Sequence, residues 1–327
     1  MSGKPVPVPV VVALITVSLC LGVPALAMLL TLLIMFAKSS PPRRSPTSEH
    51  VSAWQNATGS TCRVRVVNMA MLPFPARLSN ARAAARAVAS GIFDNVDVVF
   101  MQEVFRTDVI SDSAQLLQAA ADRTGNMCQI LVPHKGVRPG QITDSGLAAA
   151  AVAPWAIRFV GFEVFAVGGA SFDGLAEKGI AVFETVSTPT LRFAVTHLQS
   201  TADKPAMRFA QFKQAIHVAR RHDAHFLLGD MNVSDNTDAI EDMDVYARSI
   251  FGDTCRRLIS TDGEPTCCKP LKTGSGTHPK RTMHTQIDHV WALHGTGVTR
   301  CPANVVINHN VTDGWSDHSA LDFTVYL

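Results

Sequence analysis

From residue 62 onward, short apolar runs repeatedly break off at a polar residue. Arg63-Val64-Arg65-Val66-Val67-Asn68 alternates and then closes on an apolar pair, the pattern of a strand whose end carries Asn68. Val96-Asp97-Val98-Val99-Phe100-Met101-Gln102-Glu103 reads as a buried strand ending in a carboxylate. Further strand-like runs cover 147–153, 159–167, 179–184, 191–197, 226–228, 286–293, 305–308 and 321–327. Composition predicts helices over 76–90, which is rich in Ala and Arg and stopped by Gly91, over 111–124 with Gly125 after it, over 204–221, and over the acidic stretch 238–249. Residues 71–75 form a proline-broken loop, and 252–282, rich in Gly, Thr, Cys and Pro, reads as surface loop. Many strands interleaved with a few helices predict an α/β or α+β domain with one extended core.

The N-terminal pattern is different. From Val6 to Ala37 an apolar run is interrupted only by prolines and Gly22. At about 1.5 Å per residue it can span a hydrocarbon core of about 30 Å. Ala25-Leu26-Ala27 offers a signal-cleavage pattern, yet the run continues through Phe36, so the expectation is an uncleaved single-pass membrane anchor over residues 1–38. Residues 39–61, rich in Ser, Pro and Thr, then read as a flexible linker, and 62–327 as the folded domain. Lys38, Arg43 and Arg44 argue for a cytosolic domain. Six cysteines (Cys62, Cys128, Cys255, Cys267, Cys268, Cys301) and glycan sequons at Asn56 and Asn310 argue for a lumenal or extracellular one, which is the placement expected here.

A chain of 327 residues with 47% hydrophobic content can bury a sizeable core. Its net charge of +2 supplies no basic field for nucleic acid, which weighs against a nuclease without excluding one. No cysteine spacing fits a zinc site.

The residues at the strand ends carry the chemistry. They are Asn68, Glu103, His197, Asp230 with Asn232, Asp288, and Asp317 with His318. Taken singly, each has a plain structural reading: Asn68 as a loop cap, Asp230 and Asn232 as a turn, His197 as a core histidine. Together, in a chain only 17% charged, they suggest one convergent rim. Carboxylate and amide oxygens suit a hard divalent cation such as Mg²⁺, and the histidines can move protons near neutral pH.

Five ordered segments resemble the endonuclease/exonuclease/phosphatase superfamily. They are Val98 to Phe105, Thr196-His197-Leu198-Gln199, Gly229-Asp230-Met231-Asn232, Ile287-Asp288-His289 and Ser316-Asp317-His318. The resemblance implies a four-layer α-β-β-α sandwich of two mixed sheets with its site at one end. Gln102-Glu103-Val104-Phe105, the segment Phe172 to Ile180 containing Lys178-Gly179, and Thr196 to Ser200 followed by Arg208 and Gln211 are similar to the neutral sphingomyelinase branch. The branch implies roles. Glu103 would be the main Mg²⁺ ligand (Mn²⁺ and Co²⁺ being alternatives), with Asn68, Asp317 and Asp230 around it. His318 would be the general base, with Asp288 orienting its ring. Asp230 and Asn232 would hold water and phosphate oxygens, and His197 would stabilise phosphoryl charge or assist the leaving group. Lys178 would contact phosphate, or else be a solvated loop lysine. His289 stands where the family often has Tyr. No aromatic membrane-entering hairpin is identifiable.

The expected activity is a membrane-anchored phosphodiesterase of the phospholipase C type. It would act on sphingomyelin or a related phosphosphingolipid, with no obligate nucleic acid. Still open are a nuclease or inositol-phosphate phosphatase of the same superfamily, and a non-catalytic membrane protein with this fold.

Overall fold

The computed structural model describes residues 60–71, 80–107, 111–133, 143–168, 176–200, 204–260, 264–267, 285–293, 304–313 and 315–327. In chain order the elements begin with β1 (Thr61–Met71), α1 (Asn80–Ala89), β2 (Val98–Val104), β3 (Arg106–Thr107), β4 (Ser111–Asp112) and α2 (Ser113–Arg123). Then come β5 (Cys128–Leu131), β6 (Ala148–Val152), β7 (Ile157–Val164), β8 (Gly179–Thr185), β9 (Arg192–His197), α3 (Pro205–Arg221), β10 (Phe226–Asp230) and α4 (Asp238–Phe251). The chain closes with β11 (Arg256–Ser260), β12 (Asp288–Ala292), β13 (Asn304–Asn308) and β14 (Ala320–Tyr326).

The result is a mixed α/β fold built on one large sheet. Twelve strands follow the order β5-β6-β2-β1-β14-β13-β11-β12-β10-β9-β8-β7. The two sheets expected from the sequence are therefore joined edge to edge, where β11 runs parallel to β13 over Ile259 and Ser260. β11 lies inside the stretch that reads as surface loop. Its two arginines and flanking Gly and Cys hide a strand whose Leu258 and Ser260 are buried.

Alternation explains how the two halves of this sheet pack. On β1, Val64 and Val66 face the central core while Val67 and Met69 face the other way. The central core takes alternate residues from both halves, including Phe100, Phe183, Phe193, Phe226 and Phe323. Phe193 lies 4.7 Å from Phe100 and 5.4 Å from Phe226 between ring centroids, so the aromatic chain ties one half to the other. Burying each such side chain contributes about 1.5–3 kcal/mol. Outside one half, α1 and α2 place Ala84, Ala87, Leu117 and Ala121 against Val99, Met101 and Ala148. Outside the other, α3 and α4 place Phe212, Ile216 and Met243 against Val182, Leu227 and Trp291.

The expected N-terminal anchor is corrected. Among the described residues no helix is long and apolar enough to cross a membrane. The stretch on which the anchor was placed, residues 1–38, lies outside the described residues, as do linker residues 39–59. The single-pass anchor, and with it the expected membrane placement, therefore finds no support among the described residues.

His289 stands where the resemblance implies a tyrosine. It is fully buried on β12, its ring centroid 5.7 Å from that of Trp291, and its Nε2 lies 2.8 Å from the carbonyl oxygen of Val233. Burial pushes its pKa down from 6.5 to about 4, with Arg257 adding to the effect. The imidazole is neutral in the fold, so Nε2–H donates to Val233. A histidine with a depressed folded pKa contributes stability above its unfolded pKa and loses it as pH falls. Between about pH 7 and pH 5 the loss amounts to about 2 kcal/mol. We predict that wild type loses about that much more unfolding free energy than His289→Phe over this interval, measured by urea denaturation. Parallel losses in the two proteins would show that His289 does not titrate in this way.

Candidate active site

The site is the central core layer carried one position further. On β1 the inward residues Val64 and Val66 are followed by Asn68, and on β2 Val98 and Phe100 by Gln102. On β9 Phe193 and Val195 are followed by His197, and on β10 Phe226 and Leu228 by Asp230. On β12, read backwards, Ala292 and Val290 lead to Asp288. Pairing aligns these ends. Asn68 is opposite Gln102, and Asp230 is opposite both His197 and Asp288. All five side chains are buried. Gly229, at φ +138°, permits the close approach of β10 to β9, because a Cβ there would sit 1.9 Å from the Thr196 carbonyl oxygen.

Across the gap between the two halves the polar groups meet. Asn68 Nδ2 donates to Glu103 Oε1 at 3.1 Å and to Asp230 Oδ2 at 3.0 Å. Glu103 has a positive φ of 56°, an uncommon backbone conformation for a non-glycine residue. His197 Nε2 is 4.0 Å from Glu103 Oε1 and 3.7 Å from Asp230 Oδ2. His318 shares a 2.8 Å hydrogen bond between Nδ1 and Asp288 Oδ2, while its Nε2 lies 3.8 Å from Asp230 Oδ2. Asp288 is thus the residue that holds the ring. Asp317 is half-buried, and its charge acts on both Glu103 and His318.

Two candidate phosphate contacts meet at one carbonyl. Asn232 Nδ2 and Lys178 Nζ each donate to Leu198 O at 3.1 Å. Lys178 is buried and lowers the pKa of Glu103, which rules out the solvated-lysine reading. Asp230 Oδ1 accepts the Asn232 amide N–H at 2.9 Å, which fixes the left-handed Asn232 (φ +52°). Every sequence-predicted site residue therefore falls in this one region.

The electrostatics are those of an uncompensated acidic pocket. Burial raises the Glu103 pKa, with the Asp317 charge adding to it against the opposing effect of His318. Burial also raises Asp230, reinforced by the Asp288 charge. For His318, burial pulls the pKa down, but the charge and hydrogen bond of Asp288, with Asp230 and Asp317, outweigh it and hold it well above 6.5. Asp230, Asp288 and His318 each bring one ligand atom within 4.8 Å of the others. Hard oxygens under desolvation strain, with negative charge in excess, fit a divalent cation. Asp288 is committed to His318, and Asn68, whose Oδ1 accepts the Ala70 N–H at 2.9 Å, turns its donor Nδ2 to Glu103 and Asp230, the two carboxylates that meet across the gap.

Sequence reasoning missed several supports. Ser316 Oγ donates to the Asn68 carbonyl at 2.6 Å and accepts the His318 backbone N–H at 3.1 Å, fixing the His318 corner against the end of β1 within one half of the sheet. Gln102 is fully buried, its amide finding no hydrogen-bond partner among the described residues. The inward parity of β2 is the signal that could have found it.

A model of the Endonuclease/Exonuclease/phosphatase family matches residues 67–318, more than half of the chain. No curated protein matches it. Among solved structures, it is similar to sphingomyelinase C from Streptomyces griseocarneus. Identity is 20% over 82% of this chain and 99% of the other, with a TM-score of 0.56. A Staphylococcus aureus beta toxin variant with bound magnesium ions gives 15% identity over 81% and 99%, with a TM-score of 0.57. Truncated Caenorhabditis elegans TDP2 gives 17% identity over 82% and 98%, with a TM-score of 0.53. At these identities the likeness shows the fold.

Cation binding tests the acidic pocket independently of any substrate. Asp230, raised by burial to about 7, holds a proton that a cation must displace, so affinity should rise between about pH 6 and about pH 8 with proton release. Calorimetric titration with Mg²⁺ or Mn²⁺ should show this, and Glu103→Gln should weaken binding roughly tenfold or more. Unchanged affinity in that variant would place the cation elsewhere.

Proposed function

The chain belongs to the Endonuclease/Exonuclease/phosphatase family, and from that premise we propose that it is a divalent-metal-dependent phosphodiesterase of the phospholipase C type. Its substrate is sphingomyelin or a related phosphosphingolipid, cleaved to ceramide and a phosphorylated headgroup. The observation that carries the hydrolytic reading is the Asp288–His318 hydrogen bond, which leaves Nε2 of His318 directed toward Asp230. The lipid reading is supported by the Gln102-Glu103-Val104-Phe105 and Thr196 to Ser200 segments and by the sphingomyelinase among similar structures.

In this mechanism His318 Nε2 takes a proton from water as the water oxygen bonds to phosphorus. Asp288 orients the ring and stabilises the imidazolium. The bond from phosphorus to the lipid oxygen breaks, and that oxygen leaves with a proton, assisted by His197. Asn232 and Lys178 bind phosphoryl oxygens, and Asp230 positions the water. Glu103, Asn68, Asp230 and Asp317 would hold Mg²⁺ (or Mn²⁺ or Co²⁺), which supplies charge neutralisation at the phosphoryl group and offsets the carboxylates that keep His318 protonated.

Sphingomyelin, phosphatidylcholine, inositol phosphosphingolipid and supercoiled DNA assayed side by side test the reading. Phosphosphingolipid turnover should require Mg²⁺ and stop with chelator. His318→Ala should lower kcat by about 10²–10⁴-fold. Because His318 must lose its proton to act as base, kcat should rise with pH. DNA nicking without lipid turnover would assign the site to a nuclease, and full activity in His318→Ala would remove the proposed base.

A further inference from the structure

Glu264–Cys267 lies between the two chain segments that carry the Asp288–His318 pair. Thr266 is fully buried there and touches both. Its Oγ1 accepts the backbone N–H of Ile287 at 3.0 Å and of Asp288 at 3.2 Å. Its carbonyl oxygen accepts the N–H of Ser319 at 2.6 Å, one residue past His318. The N–H groups of Thr266 and Cys267 donate to the Thr285 carbonyl at 3.2 and 3.1 Å. Cys267, itself disulfide-bonded, forms antiparallel bridges with Thr285 and His318.

We propose that Thr266 is a positioning residue for the reaction: it sets the separation of Asp288 and His318 by holding the backbone of one through its hydroxyl and of the other through its carbonyl. The inference rests on reading the pocket as hydrolytic. Asp288 enters β12 from one half of the sheet and His318 precedes β14 in the other. These strands are not neighbours, since β13 and β11 stand between them in the sheet order. Strand pairing alone does not fix the distance across which the 2.8 Å hydrogen bond forms. Thr266 supplies the missing cross-tie. A hydroxyl oxygen can accept two N–H donors, and a methyl in its place can accept none.

The test compares Thr266→Val, Thr266→Ala and Thr266→Ser. The first two remove the acceptor in different shapes, so that one misfolded variant does not decide the outcome, and the third keeps it. Kinetics with Mg²⁺ and bis(4-nitrophenyl) phosphate are read beside a second signal, the downfield imidazole N–H resonance between His318 and Asp288. That resonance is assigned by its absence in His318→Ala. Removing the acceptor should lower kcat about tenfold to a hundredfold with KM nearly unchanged, because a displaced base mainly affects the transition state. The resonance should broaden or vanish, and Thr266→Ser should restore both. Unchanged kcat and an intact resonance in Thr266→Val and Thr266→Ala would overturn the proposal while leaving the hydrolytic reading in place. If wild type shows the resonance but no hydrolysis, the hydrolytic reading fails. Loss of the resonance in the acceptor-free variants alone would then uphold the cross-tie, and its survival would reject it.

Discussion

A β-strand sends alternate side chains to the same face, and here five strands run out of apolar residues at the same level. The buried polar floor of the site follows from that coincidence. Val66, Phe100, Val195, Leu228 and Val290 close the apolar layer, and Asn68, Gln102, His197, Asp230 and Asp288 continue it as polar groups. The layer is packed between two half-sheets, so its polar end is desolvated as well. Desolvation raises Glu103 and Asp230, while three carboxylates keep the proton on His318. Such a cluster is costly in isolation, and a bound cation would relieve it.

Because the polar groups come from both halves, their geometry depends on how the halves are tied together. The aromatic chain through Phe100, Phe193, Phe226 and Phe323 does this within the core. At the rim the ties are polar. Asn68 bridges to Asp230 and Thr266 spans the segments of Asp288 and His318, while Ser316 joins the Asn68 carbonyl to the His318 backbone within one half. Leu198 offers one carbonyl to both Asn232 and Lys178, which brings the candidate phosphate contacts to one place.

The strand ends were legible because burial imposes a readable pattern: an apolar run that stops at Asn68 or Asp230 announces both a strand and its polar terminus. The pairing of Asp288 with His318, thirty residues apart, was legible only through the family resemblance. Thr266 and β11 were hidden by their own composition, since Gly, Thr, Cys and Pro in 252–282 signal loop whether or not a short piece is captured by a sheet edge. Gln102 was masked by its neighbour, the carboxylate of Glu103 drawing attention from the residue with the inward parity. Lys178 was ambiguous because exposure is set by tertiary packing. The apolar N-terminal run, read as an anchor from its length and composition, lies outside the described residues, and among those no helix is long and apolar enough to cross a membrane.

We propose that water activated at His318 attacks phosphorus where the two half-sheets meet. Hydrolysis of a phosphosphingolipid in ¹⁸O-enriched water, with products analysed by mass spectrometry, decides where the water oxygen goes. One ¹⁸O atom is expected on the released phosphoryl headgroup and none on the lipid alcohol. Label on the lipid alcohol, or its absence from the phosphoryl product, would rule out attack at phosphorus.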